Sequence, residues 1–177
     1  MRYHDITTAD MMNGEGLRVV LWLSGCNHHC YKCQNPITWD ENDGLIFDDS
    51  VKEELFNKLS KNYISGITFS GGDPLHKANL DGVLKLINEI HVMFPNKTIW
   101  LYTGYDVEDL LFSDCEYEES YLDFMRKMII SKCDVVVDGK YIDSKRDVTL
   151  HWKGSSNQKV IDVKKSLKEN KIVLHCE

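Results

Sequence analysis

A parallel α/β sheet built as one domain over residues 1–177 is what the sequence predicts, on three observations. Short β-branched runs alternate with longer segments whose apolar residues recur at helical spacing. The short runs stop at a glycine or at an Asp-Gly pair, as strands do before a turn. A chain of 177 residues, 42% hydrophobic, is long enough to bury one full core.

In chain order, GLRVVLWLSG predicts a buried strand from Leu17 to Leu23, stopped by Ser24 and Gly25. Asp48, Asp49 and Ser50 supply N-cap candidates for a helix over VKEELFNKLSKN, with Val51, Leu55 and Leu59 on one face. GITFSGGDP predicts a second strand, Ile64 to Phe69, ending in a glycine turn. A helix over ANLDGVLKLINEIHVMF follows, with Leu80, Val83, Leu84, Ile87 and Ile90 as its apolar stripe, and Pro95–Asn96 breaks it. KTIWLYTG is a third strand ending at Gly104. Residues 106–132 read as mostly helical around an acidic break, DCEYEES. CDVVVDGKY is a fourth strand ending at Asp138–Gly139. In the tail, DVTLHW reads as a strand, GSSNQ as a loop, VIDVKKSLKEN as a short helix or extended segment, and KIVLHC as a last strand. In a parallel sheet the carboxyl ends of the strands share one edge, where ligands bind. Ser24–Gly25–Cys26, Ser70–Gly71–Gly72–Asp73, Thr103–Gly104 and Asp138–Gly139 all fall there.

Composition narrows the function. A net charge of −7 argues against a nucleic-acid-binding surface. Lys164, Lys165 and Lys168 read as a solvated helix face. VVLWL is too short to cross a bilayer, and MRYHDITTAD lacks the pattern of a secretory signal, so a cytoplasmic location is expected. That compartment keeps thiols reduced, so the six cysteines do not read as a disulfide framework. Cys115, Cys133 and Cys176 show no ligand spacing and read as free or buried thiols.

CNHHCYKCQNP is different. Its C-x3-C-x2-C spacing sets Cys26, Cys30 and Cys33 on one short loop with no fourth cysteine nearby. Three thiolates with an open position suit an iron–sulfur cube better than structural zinc, which four ligands normally close. Two other readings stay open from the residues alone: zinc completed by His28 or His29, and a structural or redox triplet.

The triplet resembles the signature of radical S-adenosylmethionine enzymes. NGEGLRVVLWLSGC (Asn13 to Cys26) is similar to the N-terminal segment of the small activases that install glycyl radicals, and SGGDPL (Ser70 to Leu75) to the family's glycine motif. WLYTGYDVEDL, DVVVDGKY and WKGSSNQ narrow the resemblance to the activases of anaerobic ribonucleoside-triphosphate reductases, over roughly residues 3 to 160. The resemblance implies a partial (β/α) barrel of mostly parallel strands. It implies one 4Fe–4S cluster on Cys26, Cys30 and Cys33, with S-adenosyl-L-methionine on the fourth iron. It implies reductive cleavage of that cofactor to a 5′-deoxyadenosyl radical, which takes a hydrogen from one glycine of the reductase large subunit. A low-potential donor such as flavodoxin would supply the electron, and a homodimer is left open.

The resemblance also assigns cofactor contacts. Gly71 and Gly72 would let backbone approach the methionine amino group, Asp73 stands at the motif's acid, and Lys32, Cys33 and Gln34 would flank the nucleoside. Thr103 would line the same edge, Asp138 would take the ribose hydroxyls, and Lys140 would pair with the methionine carboxylate. Read without the resemblance, SGGDP is also an ordinary strand-to-helix turn, and Asp138–Gly139 a β-turn beside an exposed lysine. Ser155, Ser156 and Asn157 would close the far side of the pocket or meet the partner. Lys32 stands where many members carry an aromatic, here shifted to Tyr31, and 111–128 reads as a surface insertion. The competing reading is a small radical enzyme acting on a nucleoside or pterin, similar to 7-carboxy-7-deazaguanine synthase.

Overall fold

A computed structural model describes residues 1–112 and 120–175. Cys115, Cys176 and residues 113–119 of the expected insertion lie outside the described residues. One seven-stranded sheet organises the chain. Its strands are β1 (Arg2–Asp10), β2 (Arg18–Leu23), β3 (Leu45–Ile46), β4 (Gly66–Gly71), β5 (Thr98–Tyr102), β6 (Val135–Asp138) and β7 (Lys159–Asp162). They lie in the order β3-β1-β2-β4-β5-β6-β7. The four central strands, β2, β4, β5 and β6, run parallel, as their apolar runs predict. The flanks differ from expectation: β1 pairs antiparallel with β2 and β3, and β7 antiparallel with β6.

Five helices connect or follow the strands: α1 (Asp49–Leu59), α2 (Leu80–Met93), α3 (Val107–Phe112), α4 (Tyr121–Ser131) and α5 (Val163–Glu169). Asp48 caps α1 by accepting from the Val51 amide at 3.0 Å, so one of the three candidates is the cap. Asp162 both ends β7 and caps α5 through the Lys165 amide at 2.9 Å. The segment VIDVKKSLKEN is thus strand and then helix. The strand expected over DVTLHW is absent: those residues form turns. KIVLHC contributes a single bridge, Leu174 to Ile161.

Alternation along the strands separates two faces. Val19, Leu21, Leu23, Ile67, Phe69, Ile99, Leu101 and Val136 pack against Leu55, Leu59, Val83, Ile87, Ile90, Ile129 and Ile130 of the helices. The opposite face carries Arg18, Trp22, Thr68, Ser70, Trp100 and Tyr102. Its small apolar cluster, Trp100, Val135, Val137 and Val160 with Tyr102 and Trp152, draws no residue from a helix.

A buried cation anchors the amino ends of this second face. Arg18 donates to Thr68 Oγ1 at 2.7 Å, the Ile67 carbonyl at 2.6 Å, the Thr98 carbonyl and hydroxyl at 2.9 Å each, and the Glu15 carbonyl at 3.1 Å. Its guanidinium also lies 5.4 Å from the centre of the Trp100 ring. Burial lowers its pKa to about 10, so it keeps its charge at neutral pH.

Candidate functional site

Past the carboxyl ends of β2, β4 and β5 the helix-free face opens into a cleft of about 530 Å³. The cysteine loop forms one wall. It leaves β2 at Gly25 and is fastened by backbone: Gly25 N–H to the Thr38 carbonyl at 2.8 Å, Cys26 N–H to the Trp39 carbonyl at 3.0 Å, and Asp73 N–H to the Gly25 carbonyl at 2.7 Å. Cys33 N–H closes a turn on the Cys30 carbonyl at 3.0 Å. His29 and Lys32 hold left-handed backbone, φ 48° and 56°, a conformation that costs a non-glycine residue on the order of 1–2 kcal/mol. That strain bends the loop so that all three cysteines line the cleft.

Each sulfur meets N–H donors. The backbone amides of His28 and His29 face Cys26, and that of Tyr141 faces Cys30. The Asn35 amide donates to Cys33 Sγ at 3.4 Å. Burial nonetheless pushes the Cys26 thiol up to about 11 and raises that of Cys30, while these amides and the nearby Lys140 charge pull the other way. Thiolate ligands of an iron–sulfur cluster accept such bonds, which help set its potential. The donor set therefore fits a 4Fe–4S cluster. Zinc fits poorly. Among the described residues no three His, Cys, Asp or Glu side chains converge on a point suited to one ion. Of the two candidate fourth ligands, His28 bonds Asp73, and His29 stacks on Trp39 with centroids 4.7 Å apart.

Gly71 and Gly72 line the cleft, and packing demands glycine at both. Gly71 has φ 102°, and a Cβ there would lie 2.5 Å from the Leu23 nitrogen. A Cβ on Gly72 would lie 2.5 Å from the Gly25 carbonyl oxygen, the atom that holds Asp73. Gln34 and Thr103 line the cleft too.

Asp73 is buried to 1% exposure, and its carboxylate is fully engaged. Oδ2 accepts from His28 Nε2–H at 2.7 Å and from the Gly104 amide at 2.9 Å. Oδ1 accepts from the Leu75 amide at 2.8 Å, and the Thr103 hydroxyl lies 3.0 Å from both oxygens. The His28 ring also meets the edge of Tyr105, 4.8 Å between centroids. Sequence reasoning weighed His28 only as a metal ligand and missed this contact between loop and sheet.

Three assigned residues stand elsewhere. Asp138 is fully buried, with Oδ2 accepting from the Val107 amide at 3.0 Å and Oδ1 from the Lys159 amide at 3.2 Å. It holds the start of α3 and the start of β7, and it is not among the residues that line the cleft. Burial raises its carboxyl above the ordinary range, and the Val107 amide and the Lys159 charge oppose that rise. Lys140 is exposed, and its carbonyl accepts from Asn157 Nδ2 at 2.8 Å. Lys32 points outward to Asp143 at 2.9 Å. Gly139 and Tyr141, on either side of Lys140, do line the cleft. In WKGSSNQ, Gln158 Oε1 accepts from the Gly154 and Ser155 amides at 2.9 and 3.1 Å, and Trp152, Gly154 and Gln158 form the far wall. Ser155 is buried and accepts from the Ile142 amide at 3.2 Å, so it braces that wall from behind.

Comparison with known proteins agrees with this geometry. Residues 12–161 match the family described as 4Fe-4S single cluster domain. The chain is 37% identical over 162 residues to the anaerobic ribonucleoside-triphosphate reductase-activating protein of Escherichia coli (strain K12), covering 90% of this chain and 97% of that one. It is 38% identical over 160 residues to the protein of that name from Enterobacteria phage T4, covering 90% and 93%. The protein of that name from Haemophilus influenzae is 36% identical over 160 residues, covering 89% and 96%.

Proposed function

The chain belongs to the 4Fe-4S single cluster domain family and to the anaerobic ribonucleoside-triphosphate reductase-activating proteins, and from that premise we propose that it installs a glycyl radical on the large subunit of such a reductase. The observation that carries the reading is the loop of three free cysteines, each sulfur met by backbone N–H, in the wall of a cleft on the helix-free face of the sheet. Cys26, Cys30 and Cys33 would hold the cluster. Bound there, a cluster would supply the one-electron reducing chemistry for reductive cleavage of S-adenosyl-L-methionine, with the electron coming from an external low-potential donor and methionine leaving as a product.

The chain's own residues bind, orient and shield. Gly71 and Gly72 keep the wall free of side chains where the methionine end of the cofactor would lie. Gln34, next to Cys33, faces the cleft where the nucleoside would lie. Trp22, Tyr102 and Trp152 supply apolar walls that exclude water from a reactive intermediate. Helices on one face and chemistry on the other support a partial (β/α) barrel of the radical S-adenosylmethionine type. One main apolar cluster, spanning residues from Tyr3 to Val163, supports a single domain. No helix among the described residues is long and apolar enough to cross a membrane. A reducing cytoplasm fits the free thiols of Cys26, Cys30, Cys33 and Cys133, and a flavodoxin-like donor fits the low potential the cleavage requires.

Protein prepared without air is expected to carry iron and sulfide in the 4:4 ratio of one such cluster. Reduced and mixed with S-adenosyl-L-methionine and the reductase large subunit, it is expected to raise a doublet electron paramagnetic resonance signal on the reductase. Methionine release with no radical on that partner sinks the proposal and favours a nucleoside or pterin substrate. Gel filtration of the same preparation decides between monomer and homodimer.

A further inference from the structure

Asp73 stands where the sequence motif puts a cofactor-binding acid, yet its surroundings give it other work. Four groups surround the carboxylate, and all are donors: the His28 ring, the Thr103 hydroxyl, and the Gly104 and Leu75 amides. They come from the cysteine loop, the segment after β4 and the segment after β5. The side chain is 2% exposed at the edge of the cleft, and its four donors engage both oxygens. Its own amide bonds the Gly25 carbonyl at 2.7 Å, so the residue packs against the neighbour of Cys26.

We propose that Asp73 is a positioning residue that works through His28: the pair fastens the Cys26–Cys33 loop to the ends of β4 and β5. The inference rests on the proposed reading only in assuming a cluster on that loop. Geometry gives the pair two effects. His28 lies between Cys26 and Cys30, so tethering its ring fixes the backbone that sets the spacing of those two ligands. The ring is itself held in place, by Tyr105 at its edge and by Gly104, where any side chain would run into it. Tyr105 in turn accepts from Arg126 Nη2 at 3.0 Å, and Arg126 Nε donates to the Leu75 carbonyl at 3.1 Å. The brace therefore runs from α4 to the cysteine loop. The second effect is on the sheet side: with Oδ2 on the Gly104 amide and Oδ1 on the Leu75 amide, the same carboxylate ties the segments after β4 and β5 to each other.

The test uses full-length, anaerobically loaded protein and four variants: Asp73→Asn, His28→Ala, His28→Gln and Thr103→Val. The readouts are iron release to a chelator, the cluster's midpoint potential and the dissociation constant for S-adenosyl-L-methionine, none of which needs the reductase. Partners that orient metal ligands change metal affinity roughly 10–100-fold when mutated. Asp73→Asn is expected to release iron faster by a factor in that range. His28→Gln, which keeps an N–H donor, is expected to release iron more slowly than His28→Ala, the rescue that a bonded tether predicts. Thr103→Val, which removes one of the four donors, is expected to release iron faster, but by less than Asp73→Asn. Cofactor affinity of the loaded fraction is expected to stay within about threefold of wild type, well short of the loss of a charged hydrogen bond. Weakening beyond about tenfold with unchanged iron release and potential would make Asp73 a cofactor ligand and overturn the proposal. If Asp73→Asn fails to fold or load, His28→Ala and Thr103→Val decide it, and wild-type iron release in both overturns it. Wild-type protein that loads a cluster but raises no radical on the reductase refutes the proposed function and leaves this test standing.

Discussion

At the amino ends of the parallel strands a buried cation meets oxygen acceptors on every side, whereas at their carboxyl ends three sulfurs meet N–H donors. Arg18 is 0% exposed and makes five hydrogen bonds within the chain, so that end is chemically closed. The Cys33 sulfur accepts from the Asn35 amide, backbone N–H groups lie near the sulfurs of Cys26 and Cys30, and all three keep capacity for an electrophile. Both ends belong to the same helix-free face, so burial alone does not mark the site. The difference lies in whether the polar groups already have the partners their charge requires.

Breaking the open end should have the largest effect. Replacing Cys26, Cys30 or Cys33 singly with Ala is expected to abolish cluster binding and radical installation while the metal-free protein keeps its circular dichroism and melting temperature. A variant that retains iron and activity would remove that cysteine from the site. Arg18→Met should do the reverse. It leaves several buried carbonyl and hydroxyl oxygens without a donor, at about 1–3 kcal/mol for each orphaned group, so the unfolding free energy read from urea titration should fall by several kcal/mol in total. The folded fraction should still load iron to the wild-type level. Iron loss without loss of stability would show that the two ends are coupled.

A pH series sharpens the contrast. The folded metal-free chain holds the Cys26 proton up to about pH 11, against about 8.5 for a free thiol. That contribution to stability is complete below about pH 8.5 and is lost as pH climbs towards 11. The melting temperature of metal-free protein should fall over that window, and less steeply in Cys26→Ala. Equal slopes would show that Cys26 is not buried as described. The smallest effect belongs to Cys133, fully buried and donating to the Ile129 carbonyl at 3.3 Å. Cys133→Ala should cost about 1 kcal/mol in lost packing and leave iron content unchanged. An iron-poor variant of normal stability would show a functional thiol that the sequence spacing did not reveal.

Much of this was legible in the residues. The four parallel strands announce themselves because both their faces are covered, which selects continuous β-branched runs such as VVLWL and DVVVD. β1 escaped notice because RYHDITTAD is half exposed and mostly polar, and it becomes a strand only by pairing with β2. β7 has just Val160 and Ile161 as fully apolar positions, too few to separate it from the helix it runs into. The cysteine loop was readable from spacing, since three ligands within eight residues need little tertiary context. The burial of Asp138 was also readable in the sequence. Val136 faces the helices, and alternation puts Asp138 on that same face, turned from the cleft. His28 was harder: its partner is 45 residues away, and only the crossover between β2 and β4 brings them together.

The backbone bonds that fasten Gly25, Cys26 and Asp73 to one another and to Thr38 and Trp39 involve no sulfur atom. The receptacle thus stands before anything is placed in it, unlike zinc fingers, whose chains are unfolded until the ion arrives. An activase stripped of its irons by a burst of oxygen would keep its shape, and a delivery system could refill it without refolding the chain.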